Sequence, residues 1–169
     1  MPAPPPPPPL SPPLRHITTL VYAFDRADRL CLLRRRKAPN LGLWSPPGGK
    51  VEPDETPLAC AVRELAEETG LIGDAPRLVA VATEYDAVTG EAWLMFIVRV
   101  DVRDGTIRSD GREGEVAWVA PADVAALPAP PADASILAVV REAEVRGGVA
   151  FMGLRYERGH IAGVEITWG

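Results

Sequence analysis

Residues 48–71 have the sequence GGKVEPDETPLACAVRELAEETGL, and the rest of the chain is organised around this stretch. The two leading glycines predict a tight loop, and a helix is expected to follow it. Thr56 is a favourable N-cap, and Pro57 suits the first helical position. Gly70 suits the position just past the helix end, where a left-handed backbone is common. The stretch therefore predicts a glycine turn, a short extended arm and one helix.

The predicted helix has an apolar face and an acidic face. Leu58, Val62 and Leu65 fall within one narrow sector at roughly 100° per residue, which predicts the buried stripe. Three carboxylates share the acidic face at positions i, i+3 and i+4: Glu64, Glu67 and Glu68. Each pair of like charges at such spacings destabilises a helix by a few tenths of a kcal/mol.

A divalent cation would turn this repulsion into attraction, because Mg²⁺ and Mn²⁺ prefer hard oxygen ligands such as carboxylates and phosphates. Arg63 can pair with Glu67 at i, i+4 and hold the acidic set in place. Glu55, just before the helix, adds a fourth carboxylate. A solvated acidic face is the alternative explanation. The glycine turn, Glu55 and Arg63 together favour the metal site.

The complete spacing resembles the Nudix box, with no position missing: Gly49-x5-Glu55-x7-Arg63-Glu64-Leu65-x-Glu67-Glu68-x-Gly70-Leu71. The resemblance implies a MutT-like Nudix hydrolase, which cleaves nucleoside diphosphates linked to another moiety. It implies an α/β fold, an α/β/α sandwich around a mixed β-sheet. It also implies that the carbonyl of Gly48 is a metal ligand, and that Gly49, Glu55 and Gly70 are structural.

The same resemblance suggests roles outside the box. MutT-like members carry paired arginines at the end of the second strand, and the second contacts phosphate, so Arg35 is a candidate and Arg34 an equal alternative. A glutamate in a late loop completes the metal shell. Glu113 is expected in this role, with Glu115 second.

Two further residues have a structural explanation beside a functional one. Trp44 is expected to plug the sheet edge, and stacking on a base is the alternative. Asp133 is expected to cap the last helix. Its alternative comes from the resemblance, since some MutT-like nucleotidases place a residue here that reads a purine edge.

Composition bounds the class of protein. The chain has 169 residues and a net charge of −5, which argues against a general nucleic-acid binder. Two cysteines, Cys31 and Cys60, are expected to be buried free thiols. His16 and His160 lie near the chain ends, and no zinc site is expected. No apolar run of membrane-spanning length and no signal-peptide core occur, so we expect a cytoplasmic protein without a membrane partner.

The chain divides into a proline-rich tail (1–13), a Nudix domain (14–148) and an appended C-terminal hairpin (149–169). The hairpin could cover a sheet edge, cap the pocket or form a homodimer contact, which we prefer. The other patterns predict strands and then helices at these positions: 17–25, 30–33, 77–85, 92–101 and 115–119; 121–126 and 134–146.

The expected reaction is hydrolysis of a nucleoside triphosphate, oxidised nucleotides included, to monophosphate and pyrophosphate with Mg²⁺ or Mn²⁺. Glu64 or Glu113 would act as general base, while Arg63 orients the carboxylates. Alternatives are ADP-ribose or a dinucleoside polyphosphate as substrate. A third alternative is a nucleotide-sensing module that does not hydrolyse its ligand. The complete set of glutamates argues against this alternative.

Overall fold

The computed structural model describes residues 16–38, 40–103, 106–108 and 114–169. The described strands are β1 His16–Phe24, β2 Leu30–Arg35, β3 Trp44–Ser45, β4 Asp74–Asp86, β5 Ala92–Asp101, β6 Gly114–Val119, β7 Ala150–Glu157 and β8 His160–Trp168. The described helices are α1 Pro57–Thr69, α2 Pro121–Val124 and α3 Asp133–Arg146. Within these residues, no helix is long and apolar enough to cross a membrane.

The described strands form one mixed sheet in the order β3-β2-β1-β5-β4-β7-β8, and β6 pairs with β2 beside this path. The pairs β1–β5 and β4–β7 are parallel. The other pairs are antiparallel. The mixed sheet that the resemblance implied is confirmed.

Strand β1 shows why this sheet needs a layer on each face. Tyr22 and Phe24 point into one core, whereas Val21 and Ala23 point into the other, and all four are at most 2% exposed. Such a strand is stable only when both faces are covered. Helix α1 covers one face through Ala61 and Leu65. Helix α3 covers the opposite face through its apolar residues Ile136, Val139, Val140 and Ala143. The α/β/α sandwich is confirmed.

Helix α1 begins and ends where the sequence predicts. The Thr56 hydroxyl accepts the Ala59 N–H at 3.2 Å, and Pro57 is the first helical residue. Gly70 has a φ of 72°, and its N–H donates to the Ala66 carbonyl at 2.9 Å. Both caps satisfy backbone groups that a helix end otherwise leaves without partners.

The predicted buried stripe of α1 is wrong at one end. Leu58 is 36% exposed, although it shares an angular sector with the buried Leu65. Leu58 lies in the first turn, and a sector becomes buried only where another surface covers it. Cys60 lies roughly 160° away around the helix, yet it is fully buried. Its Sγ lies 3.3 Å from the Lys50 carbonyl, because the glycine loop crosses over it.

The later elements confirm the predicted hairpin and correct the predicted cap. Strand β7 pairs in parallel with β4, so the hairpin covers that edge of the sheet. The homodimer contact stays a prediction. The capping role of Asp133 is wrong, since Ala132 is the N-cap of α3 and no side chain caps this helix. Glu113 and the proline-rich tail lie outside the described residues.

Candidate active site

Arg63 is the centre of the acidic cluster on α1. Its guanidinium donates two hydrogen bonds to Glu55, from Nη2 to Oε1 at 2.6 Å and from Nε to Oε2 at 3.1 Å. Its Nη1 also donates to Glu64 Oε1 at 2.8 Å and to Glu67 Oε2 at 3.1 Å. The predicted i, i+4 pair with Glu67 is thus confirmed, whereas the contact with Glu55 was not predicted. Charge-assisted, bidentate bonds of this kind fix side-chain geometry.

The cluster changes the acidity of its members in opposite directions. Hydrogen bonding to Arg63 lowers the pKa of Glu55 to about 2. Burial raises the pKa of Glu64, while Arg63 opposes this rise and the charges of Glu67 and Glu55 add to it. One guanidinium therefore serves three carboxylates, and the surplus negative charge makes the cluster attractive to cations.

The glycine turn brings backbone against this cluster. The Gly48 N–H donates to Glu68 Oε2 at 2.9 Å. The turn also pairs with β1, since the Gly49 carbonyl accepts the Thr19 N–H at 2.8 Å. A Cβ on Gly48 would lie 2.1 Å from the Thr19 carbonyl oxygen, and one on Gly49 would lie 2.1 Å from Glu64 Oε1. A side chain at residue 48 would therefore clash with backbone, and one at residue 49 would displace the Glu64 carboxylate. Glu64 and Glu68 thus converge on the turn.

These carboxylates have the ligand chemistry that a divalent cation requires, but they do not form a complete metal site by themselves. Over the described ranges, no group of three or more His, Cys, Asp or Glu side chains forms a ready-made metal site. Glu64 and Glu68 nevertheless meet at the glycine turn, and Glu67 stands beside them with its side chain 60% exposed. Mg²⁺ commonly takes one or two protein carboxylates and completes its shell with water and substrate phosphates. The donor set therefore fits such a cation.

A cavity of about 600 Å³ lies on the opposite face of the sheet, between β1, β2, α2 and α3. Its walls are largely apolar, for example Leu30, Leu32, Leu127 and Leu137. Trp44 also lines the cavity and belongs to the short edge strand β3. Its backbone N–H donates to the Pro128 carbonyl at 2.7 Å. Trp44 therefore lies in an edge strand and also lines the cavity, and its predicted role as a plug stays a prediction.

Two polar side chains in this cavity have unusual environments. Burial, and then the charge of Glu84, raise the pKa of Asp133 to about 7. Tyr22 is 1% exposed, and its hydroxyl finds no hydrogen-bond partner in the part of the chain that the structure describes. The sequence analysis did not single out Tyr22. The available signal was a residue with a polar tip inside a strand that is otherwise apolar.

The two candidate arginines lie on opposite sides of the sheet. Alternation along β2 places Arg34 on the cavity side with Leu32, and Arg35 on the α1 side with Cys31. Arg35 therefore shares a side with the carboxylate cluster. Arg34 lies opposite Glu115 in the ladder, and their Nη1 and Oε2 atoms are 3.9 Å apart. Glu115, the second choice for the metal shell, thus lies on the side away from α1.

Comparisons with known proteins agree with this architecture. The model of the NUDIX domain matches residues 14–140. The uncharacterized Nudix hydrolase YvcI of Bacillus subtilis is 34% identical over 128 residues, covering 73% of this chain and 77% of that protein. The CTP pyrophosphohydrolase of Escherichia coli is 33% identical over 141 residues, covering 82% and 94% respectively.

The fold is also found among solved structures. The mutator MutT protein from Bacillus halodurans superposes with a TM-score of 0.77 at 24% identity, covering 90% of this chain and 97% of that chain. At this level of identity, the likeness shows a shared fold.

Proposed function

This chain belongs to the Nudix hydrolase family, and on that premise we propose that it hydrolyses a nucleoside triphosphate to a nucleoside monophosphate and pyrophosphate. The observation that carries the proposal is the acidic cluster, in which Arg63 holds Glu64 and Glu67 while the glycine turn holds Glu68. Binding alone does not need such a cluster beside a backbone turn. A phosphoanhydride, in contrast, carries negative charge that a cation must screen before water can attack.

Mg²⁺ or Mn²⁺ would be held by Glu64, Glu67 and Glu68, with the Gly48 carbonyl as a further oxygen ligand. When bound, such a cation screens the phosphate charge and makes water more acidic. Arg63 keeps the carboxylates oriented through its bonds to Glu64 and Glu67. The proton of the attacking water would pass to a carboxylate oxygen, with Glu64 and Glu113 as the two candidates.

The cavity supports a nucleotide as the substrate class. Pro46 lines the cavity, and Gly48 binds Glu68 only two residues later. Two residues of chain span at most about 7 Å, so the cavity wall and the acidic cluster are within the reach of one nucleotide. The volume of about 600 Å³ is typical of a small-molecule site. The base would lie in this cavity beside Trp44, and the phosphates near Arg35 and the carboxylates.

A nucleotide panel with Mg²⁺ and Mn²⁺ tests the proposal, and product analysis locates the broken bond. We expect monophosphate and pyrophosphate from a nucleoside triphosphate. Cleavage of ADP-ribose or a dinucleoside polyphosphate, with triphosphates untouched, would instead support the alternative substrates.

Loss of one of two neighbouring carboxylates on α1 tests the site itself. Glu67→Gln or Glu68→Gln should lower turnover by at least about 100-fold, with an unchanged circular dichroism spectrum. Glu142→Gln is the matched control, because Glu142 pairs with Arg146 on the surface of α3. Full activity in either α1 variant would contradict the assignment.

A further inference from the structure

The cavity wall includes a tyrosine with a buried hydroxyl, Tyr22. Tyr22 belongs to β1, is 1% exposed and lines the cavity. Across the described segments, this hydroxyl has no hydrogen-bond partner. Buried polar groups are nearly always hydrogen-bonded, because water has been removed from them without compensation. An unsatisfied hydroxyl on a residue that lines a cavity therefore points to a partner atom on a ligand.

Asp133 gives this hydroxyl a companion of complementary chemistry. Asp133 lines the same cavity from the first turn of α3. Burial, and then the charge of Asp133, raise the pKa of Tyr22 well above its ordinary value, so the hydroxyl keeps its proton. The hydroxyl can therefore donate a hydrogen bond, and the carboxyl can accept one.

We propose that Tyr22 and Asp133 act as a donor and acceptor pair that selects bases with an amino group beside an unprotonated ring nitrogen. Cytosine and adenine present this pattern, with the amino group directed to Asp133 and the ring nitrogen to Tyr22. Along the Watson–Crick edge, uracil presents a carbonyl beside an N–H, and guanine presents N1–H next to its amino group, so both mismatch. The N3 atom of guanine also lies beside the amino group, but it is on the side of the ring that carries the ribose. The inference rests on the proposed function, because the ligand is the nucleoside part of its substrate.

Binding of nucleoside monophosphates without divalent cations tests the pair. Isothermal titration calorimetry with CMP, AMP, GMP and UMP would compare the wild-type protein, Tyr22→Phe and Tyr85→Phe. Tyr85 does not line the cavity and is the matched control. We expect wild type to bind CMP or AMP about tenfold more tightly than UMP, since one well-made hydrogen bond contributes about this factor. Tyr22→Phe should remove this preference, and Tyr85→Phe should retain it.

Thermal unfolding separates base recognition from a structural role. Without ligand, Tyr22→Phe should unfold at the same temperature as wild type or a higher one, because the change deletes a buried hydroxyl without a partner. The increase in unfolding temperature caused by CMP or AMP should be smaller in this variant. A purely structural hydroxyl would instead leave the ligand-induced increase unchanged.

Three results would overturn the proposal. These are equal binding of all four monophosphates by wild type, an unchanged preference in Tyr22→Phe, and an equal loss for all four bases in that variant. Failure of the proposed hydrolysis is visible separately, as the absence of pyrophosphate release from every triphosphate. The binding comparison involves no turnover, so it decides the role of Tyr22 in either case.

Discussion

Replacement of Asp133 by Asn should change how the stability of this protein depends on pH. Asp133 interacts electrostatically with Tyr22 on β1, Glu84 on β4 and Tyr156 on β7. Burial and then Glu84 raise its pKa from 3.8 to about 7. The folded state therefore retains a proton that the unfolded state releases between these two values. Stability from this proton is complete below pH 3.8 and is lost as the pH rises through about 7.

The size of the effect follows from the shift in pKa. A change from 3.8 to about 7 corresponds to about 4 kcal/mol of unfolding free energy, at 1.36 kcal/mol per unit. Asp133 is only partly buried, and screening by solvent reduces such an effect, so we expect about 1 to 2 kcal/mol. Asn carries no titrating group. The free-energy difference between Asp133→Asn and wild type should therefore grow in favour of the variant by this amount from about pH 3.8 to about pH 8.

Urea denaturation of both proteins at several pH values measures this difference. Any effect of the Asn side-chain amide on stability is the same at every pH. The change of the free-energy difference with pH therefore reports the titration of the Asp133 carboxyl group. Asp123→Asn is the matched control, because Asp123 is exposed on α2 and should leave the slope unchanged. Parallel curves for wild type and Asp133→Asn over the whole range would refute the assignment of a raised pKa to this carboxyl.

Two further predictions concern the glycine turn and the tail. Gly49→Ala should lower turnover by about 10²-fold, because the new Cβ would lie 2.1 Å from Glu64 Oε1 and displace the carboxylate. Gly163→Ala, which meets nothing within 4 Å, should retain full turnover, and equal activity of both variants would argue against the positioning role. Deletion of Met1–Pro13 should leave turnover unchanged, since the family match begins at residue 14. A large loss in steady-state assays would show that the tail contributes to function.

Local spacing accounts for what could be predicted about α1. Its caps depend on residues at fixed offsets from the helix ends, and Thr56 and Gly70 supply them. The acidic face and the Arg63–Glu67 pair depend on the helical repeat alone. Strand β5 was likewise predicted with its observed bounds, Ala92–Asp101, because a continuous apolar run in a central strand is a strong signal.

Contacts between distant segments account for what could not be predicted. The exposure of Leu58 and the burial of Cys60 depend on where the sheet and the glycine loop cover α1. Asp133 looks like a helix cap in the sequence. Its environment, however, includes Glu84 from β4.

By itself, the sequence determined the set of carboxylates, because residue types at fixed spacings along one segment place them on one helix face. The family and the sandwich fold came from the resemblance of that segment to the Nudix box. Only the tertiary structure decided that Arg63 forms two hydrogen bonds with Glu55. It also decided that Glu64 and Glu68 approach the glycine turn, and that Tyr22 and Asp133 line the same cavity. The physical reason is that burial, and the missing partner of a buried group, depend on which surfaces meet. That information is spread over the whole chain rather than written in any one segment.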